Sequence, residues 1–252
     1  MNVTDLEDSA ITCDPLTRNW SIFQLKKGHR FSADDLFTAD LALNLAPAAT
    51  HCCDLGAGIG TVGLLVLNGL QNSSTLTMVE AQQISHQLAL KTIAHNHLSS
   101  RVTALRGDLR DDSVFEDLGS FPLVTGSPPY IPVGAGVISP HPQRAACRME
   151  LRGSIADYAL RAAQLLSDDG VFVVCFAGQD PRGEAAITDA GLHLKVRQDV
   201  IFRADLPPTI TVLAAQKSSC QADRRPPIVI RNAEGQFTEA YMAMRHRLGA
   251  PI

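Results

Sequence analysis

Two short segments contain residue types that can do chemistry, and each follows an apolar, strand-like run. The first is residues 54–60 (DLGAGIG), and the second is residues 127–130 (SPPY). Because glycine lacks a Cβ atom, the first segment predicts a turn that lets a nucleotide-like cofactor approach the main chain. The second is a two-proline turn that ends in an aromatic ring. Such a turn suits the binding of a planar amino group.

The residues of the second turn fit the needs of a delocalised amino nitrogen. An adenine N6 or a glutamine amide nitrogen becomes nucleophilic when acceptors hold its hydrogens and favour the pyramidal form. The Ser127 hydroxyl and the Pro128 carbonyl can be those acceptors. Pro129 stiffens the turn, and Tyr130 can stack on the flat target group. We therefore predict residues 127–130 as the catalytic turn.

The elements around these turns alternate between strand and helix, which predicts a parallel, doubly wound sheet. A helix is predicted from Ser32 as N-cap to Leu45, before Pro47. Strands are predicted at 51–55, 75–80, 102–106, 122–125 and 171–176, and helices at 60–70, 81–98 and 154–166. The last third favours strands at 192–200 and 209–216, a chain break at Pro226 and Pro227, a short β-like segment at 228–231 and a helix at 237–248.

The glycine turn lies where a doubly wound sheet binds its ligand, beyond the carboxyl end of the first strand. Gly56, Gly58 and Gly60 form the turn. Glu80 ends the next strand, where its carboxylate can accept hydrogen bonds from both hydroxyls of a ribose. Asp108 follows the third strand and can accept from an adenine amino group. The sequence thus predicts these five residues and Asp54 as a nucleotide-like binding set.

The spacing in the glycine turn excludes two other nucleotide sites. A dinucleotide fingerprint needs glycine or alanine where this chain has Thr61, and the Gly-Lys-Ser/Thr of a phosphate loop is absent. The Asp-x-Gly-x-Gly-x-Gly spacing instead resembles motif I of class I S-adenosylmethionine (SAM) methyltransferases. The resemblance implies SAM as cofactor, S-adenosylhomocysteine as product, and a mostly parallel seven-stranded sheet with an antiparallel C-terminal edge strand.

The second turn resembles the Asn/Asp/Ser-Pro-Pro-aromatic signature of amino methyltransferases, with serine as a minority form of its first residue. The flanks are similar to the bacterial tRNA(Val) adenine-N6 methyltransferase family. The similar segments are 28–34 (GHRFSAD), 142–145 (PQRA), 228–231 (IVIR) and 237–241 (FTEAY). This resemblance implies N6-methylation of the adenine beside the anticodon, at position 37 of a tRNA. It also places Asp34 by the cofactor together with Ser127, and we expect Arg144 and Arg148 to bind substrate phosphates.

Two other functions remain open at this point. One is methylation of a protein glutamine at N5, as in release-factor methyltransferases, because the same tetrapeptide occurs there. Only about fifty residues precede Asp54, whereas that family usually has a helical substrate-binding domain before the fold. The other is a SAM-binding subunit that supports a catalytic partner. A protein partner is not otherwise indicated by the sequence.

Composition and charge limit the kinds of partner, metal site and location that we expect for this chain. The chain has 252 residues and a net charge of −4, so it has no global attraction to nucleic acid, although its cations are clustered. We expect one structural domain, with an entry segment and helix at 1–50 and a methyltransferase domain with a C-terminal extension at 51–252. The six cysteines form no C-x-x-C pair, and no metal site is predicted. The acidic start, with Asp5, Glu7 and Asp8, carries no leader pattern, so we predict a cytoplasmic protein with no membrane association.

Overall fold

The computed structural model describes residues 10–251 and shows two sheets with seven α-helices around the larger one. Asp5, Glu7 and Asp8 lie outside the described residues. A small antiparallel pair, β1 and β2, comes first. The strands are β1 (Ile11–Pro15), β2 (Ser21–Leu25), β3 (His51–Leu55), β4 (Thr75–Glu80), β5 (Val102–Arg106), β6 (Phe121–Gly126), β7 (Leu166–Ala177), β8 (His193–Arg203), β9 (Ile210–Gln216) and β10 (Asp223–Arg231).

The helices connect and cover the strands as a doubly wound fold requires. They are α1 (Ala33–Leu45), α2 (Thr61–Gly69), α3 (Gln83–His95), α4 (Pro142–Arg148), α5 (Ile155–Leu165), α6 (Arg182–Asp189) and α7 (Glu239–Leu248). A capping box formed by Ser32 and Asp35 begins α1, as the sequence predicts. No helix among residues 10–251 is long and apolar enough to cross a membrane.

The large sheet has the order β10-β8-β9-β7-β6-β3-β4-β5. Buried residues of α1, α2, α3 and α7 pack on one face, and those of α5 and α6 pack on the other. β3 lies between β4 and β6. The chain adds β4 and β5 on one side of β3 and then crosses back to add β6 and β7 on the other side. This is the switch point where open α/β sheets bind ligands, and the glycine turn follows β3 directly.

The predicted α/β fold is confirmed, with differences at the C-terminal side. The large sheet has eight strands rather than seven. The antiparallel strand is β9, which lies inside the sheet between β7 and β8 and is not an edge strand. The edge is β10, parallel to β8, and it continues through Pro226 and Pro227, where the predicted break is only a register shift between Arg225 and Ile228. Proline is tolerated there because an edge strand leaves one row of backbone groups unpaired.

Candidate active site

The glycine turn adopts backbone conformations that favour glycine. Gly56, Gly58 and Gly60 have φ angles of +57°, +59° and +94°. A Cβ atom on Gly56 would lie 1.8 Å from the hydroxyl oxygen of Tyr158, whereas a Cβ on Gly58 would have no heavy atom within 4 Å. Gly60 is the N-cap of α2. The turn therefore closes against Tyr158 on one side and leaves its main chain open to a cavity at Gly58.

That cavity, here the glycine-loop cavity, is lined by Gly56, Gly58, Glu80, Ser127 and Tyr158 among others. A second cavity of about 520 Å³, here the basic cavity, is lined by residues that include Arg30, Arg144 and Arg148. The two cavities share four lining residues: His29, Asp35, Ser127 and Cys147. A ligand in one cavity would thus lie next to a ligand in the other.

Asp54 lies beneath the glycine turn and does not line either cavity. Its buried carboxylate accepts hydrogen bonds from the Gly63 backbone amide at 3.0 Å and from the Thr125 hydroxyl at 2.7 Å. Burial raises the pKa of Asp54 to about 6, and these two hydrogen bonds oppose the rise. In this geometry Asp54 ties β3 to β6 and to the start of α2, and so positions the turn.

Glu80 lies at the end of β4 and lines the glycine-loop cavity, where the sequence places it. Its two carboxylate oxygens accept hydrogen bonds from the Gly58 amide at 2.8 Å and from the Gln82 amide at 2.6 Å. Burial raises the pKa of Glu80 above its ordinary value. Because each carboxylate oxygen has a second lone pair, Glu80 can still accept from a bound hydroxyl.

Asp108 follows β5, but its side chain is paired with Arg110 at 2.6 Å. Hydrogen bonds from Arg110 lower the pKa of Asp108 below its ordinary value. The neighbouring Gly107 and Leu109 line the glycine-loop cavity, whereas Asp108 does not. Its contact with an adenine amino group stays a prediction.

The predicted catalytic turn separates the two cavities. Ser127 faces both cavities, Pro129 lines the glycine-loop cavity, and Pro128 and Tyr130 line the basic cavity. This alternation follows from the extended path of the chain beyond β6. The Ser127 hydroxyl accepts a hydrogen bond from the Cys175 thiol at 3.4 Å. A group held by Ser127 can therefore reach a ligand in the glycine-loop cavity.

The Tyr130 side chain is fixed by its neighbours. Its hydroxyl lies 3.0 Å from Asp34 Oδ2 and 3.2 Å from Cys175 Sγ, and its ring packs edge-on against Phe176 at 5.5 Å between centroids. Burial raises the pKa of Tyr130 well above its ordinary value, so the phenol is neutral. Asp34 lines the basic cavity and not the glycine-loop cavity, so its predicted place by the cofactor stays a prediction.

Asp35 is a cavity residue for which the sequence suggested only a helix start. It lines both cavities and also accepts from the Ser32 backbone amide at 2.9 Å. Burial and the nearby Asp34 carboxylate raise the pKa of Asp35 well above its ordinary range, against hydrogen bonds from Ser32 and Ser127. Its contact with Ser127 could be found only from the packing of α1 against β6.

Arg144 and Arg148 both lie on α4 and line the basic cavity, but their surroundings differ. The Arg144 guanidinium donates to the carbonyl oxygens of Lys27 at 2.8 Å and Gly28 at 3.1 Å. Arg148 is exposed, and no hydrogen bond or ion pair fixes its guanidinium among the described residues. Arg144 thus uses the two donors of its Nη2 on the protein, whereas all five donors of Arg148 are left for a phosphate.

The comparisons with known proteins point to a methyltransferase. Residues 27–137 match the model of the methyltransferase small domain. The chain is 28% identical over 205 residues to the tRNA1(Val) (adenine(37)-N6)-methyltransferases of Escherichia fergusonii and of Escherichia coli K12. Each match covers 79% of this chain and 81% of the relative.

Two solved structures are similar in fold. A predicted O-methyltransferase from Agrobacterium tumefaciens has a TM-score of 0.63 and 19% identity, with 86% of this chain and 98% of that chain covered. The Thermus thermophilus 16S rRNA N2 G1207 methyltransferase, solved with AdoMet and guanosine, has a TM-score of 0.57 and 17% identity, with 82% and 50% covered. At these identities the likeness establishes the fold.

The residues of the glycine-loop cavity fit SAM. Glu80 has a buried carboxylate that can accept from ribose hydroxyls, and Gly58 has no side chain to cover its main chain. The Tyr158 hydroxyl, for which no sequence signal stood out, faces the same space. Among residues 10–251, no three His, Cys, Asp or Glu side chains are grouped as metal ligands. Because residues 27–137 match a methyltransferase model, four fifths of the chain match curated methyltransferases and the fold is that of solved methyltransferases, the chain is a SAM-dependent methyltransferase of the class I fold.

Proposed function

We propose that this methyltransferase modifies N6 of adenine in RNA, at the adenine beside the anticodon (position 37) of a tRNA. The observation that carries the proposal is the position of the turn 127–130 between the two cavities. The names of the relatives from Escherichia support the same substrate, since they match four fifths of this chain. A cytoplasmic location, where tRNA is found, belongs to the same proposal.

Bound SAM supplies a methyl group made electrophilic by its sulfonium. The residues of the glycine-loop cavity have the task of binding and orientation. In the proposal, Glu80 accepts from the ribose hydroxyls, and Gly56 and Gly58 present their main chain to the cofactor. Asp54 and Asp108 support this set from strand ends, and Gly60 supports it from the start of α2. Such positioning is a main source of rate in a displacement reaction.

At the turn, Ser127 and Pro128 accept the two amino hydrogens of the target base. A hydroxyl has two acceptor positions, and the Cys175 thiol occupies one of them on Ser127, so the second is left for an amino hydrogen. Pro129 holds the turn, and Tyr130 provides a ring that Phe176 and Asp34 keep in place. An adenine in an anticodon loop is already unpaired, so its presentation to this turn costs little.

The test is mass spectrometry of nucleosides from unmodified tRNA after incubation with the purified protein and methyl-deuterated SAM. We expect labelled N6-methyladenosine, and we expect the label to map to position 37 of the tRNA. A parallel reaction with release-factor protein tests glutamine methylation. Label in the protein and none in the tRNA would overturn the proposal.

The variant Ser127→Ala tests the role of the turn. It should lower turnover about tenfold or more while the Kd for SAM stays unchanged, because the lost hydrogen bond acts on the reacting amino group. Ser127→Asn is the matched control, since its amide oxygen restores an acceptor, and it should retain turnover. A loss of SAM binding in Ser127→Ala would show instead that Ser127 has a structural role.

A further inference from the structure

The basic cavity contains an exposed aromatic side chain that folding does not explain. Phe202 is 41% exposed and lines the cavity. It belongs to neither apolar core, and among residues 10–251 it makes no contact with another aromatic ring. A single exposed phenylalanine is ordinary on a protein surface, but this one lies in a cavity beside the predicted catalytic turn.

The sheet places Phe202 there by its register. β8 is antiparallel to β9, which is antiparallel to β7, so the carboxyl end of β8 lies at the same edge of the sheet as the glycine turn. Side chains of a strand alternate between faces, so Phe202 shares a face with Val200. Val200 is buried in the core that includes α1. Phe202 lies one step further, where the core gives way to the basic cavity.

The other walls of the basic cavity provide positive charge through three arginine side chains. Arg30 is paired with Asp14 at 3.0 Å, and Arg144 is held by two backbone carbonyls. Arg148 keeps its donors for a ligand. The cavity volume of about 520 Å³ lies within the usual range for a ligand of nucleotide size.

We infer that the basic cavity binds the nucleotide next to the target adenine in the RNA, with its base stacked on Phe202 and its phosphate at Arg148. The inference rests on the proposed function, since it requires an RNA substrate. A π-face paired with a cation is the usual means of holding an unpaired nucleotide. Stacking tolerates any base, so this subsite would add affinity and orientation rather than strict sequence preference.

The experiment measures the equilibrium Kd for tRNA by fluorescence anisotropy, separately from methylation. Phe202→Ala should raise the Kd about tenfold, because the stacking of one base is lost. Phe202→Tyr keeps the ring and should bind as the wild type does. Leu206→Ala is the matched control: Leu206 is also exposed (52%), lies just beyond β8 and does not line the cavity, so its loss should leave the Kd unchanged.

A second arm removes the base instead of the ring. Transcripts with an abasic residue on the 5′ or the 3′ side of the target adenine should bind the wild type about tenfold more weakly in one of the two cases. Phe202→Ala should show no further loss with that same transcript. The subsite would be overturned if Phe202→Ala raised the Kd equally on intact and on abasic RNA. It would also be overturned if Phe202→Ala bound intact tRNA as tightly as Leu206→Ala does. If the wild type bound no tRNA, the proposed function itself would fail with it.

Discussion

Gly56 and Gly58 are alike in the sequence, but their surroundings in the structure are different. Both have positive φ angles, so an alanine at either position costs on the order of 1–2 kcal/mol of backbone strain. At Gly56 the added methyl group would also collide with the Tyr158 hydroxyl, whereas at Gly58 it would enter open space. The same substitution should therefore have two different effects.

We expect Gly56→Ala to lower the free energy of unfolding by clearly more than Gly58→Ala does, since only the first must displace a buried tyrosine. Gly58→Ala should mainly weaken SAM binding, because its methyl group covers main chain that the cofactor is proposed to approach. Urea denaturation and calorimetric titration with SAM measure the two effects. Equal losses of stability in the two variants would contradict this assignment.

The sequence predicts which residues lie at the site better than it predicts where their side chains point. Glu80 and Ser127 line the glycine-loop cavity because the ends of parallel strands meet at one edge. Asp54 and Asp108 also lie at strand ends, yet one side chain turns to the Gly63 amide and the other to Arg110. These local partners leave no periodic signal, which is why the sequence could not give either direction.

At the scale of elements, the central strands and helices were predictable because their apolar runs are bounded by clear turn and cap residues. β3, β4 and β5 have the predicted bounds. The hairpin of β1 and β2 and the short helices α4 and α6 were missed. Each has few buried residues of its own and depends on contacts distant in sequence, such as Ser21 with Asn96.

The helix α4 offers a prediction about its two cavity arginines. Arg148→Gln should reduce the slope of log Kd for tRNA against log salt concentration by about one, with unchanged stability, because it removes a free phosphate contact. Arg144→Gln should reduce the salt slope less than Arg148→Gln does. It should also lower the free energy of unfolding by about 1 kcal/mol, since the carbonyls of Lys27 and Gly28 lose their hydrogen bonds. Both quantities come from salt titrations and urea denaturation. An equal change of slope in the two variants would refute the distinction.

At the scale of the whole molecule, the net charge of −4 means that RNA affinity must come from local groups. The acidic groups also make stability depend on pH in two opposing ways. Burial raises the pKa of Asp54, Glu80 and Asp35, whereas arginine partners lower the pKa of Asp108 and Asp180. The pH profile of the wild type is the sum of these effects, so a variant is needed to isolate one of them.

Asp54→Asn isolates the contribution of one of these buried carboxyl groups. The folded pKa of about 6 lies above the ordinary 3.8, so the folded state binds the proton more tightly. The stability that Asp54 adds is thus complete below about pH 4 and is lost as the pH rises through 6. Relative to Asp54→Asn, the wild type should lose about 2–3 kcal/mol of unfolding free energy between pH 4 and pH 7. Urea denaturation of both proteins across this range measures the difference. A difference that did not change with pH would mean that the carboxylate under the glycine turn stays charged, with Gly63 and Thr125 outweighing its burial.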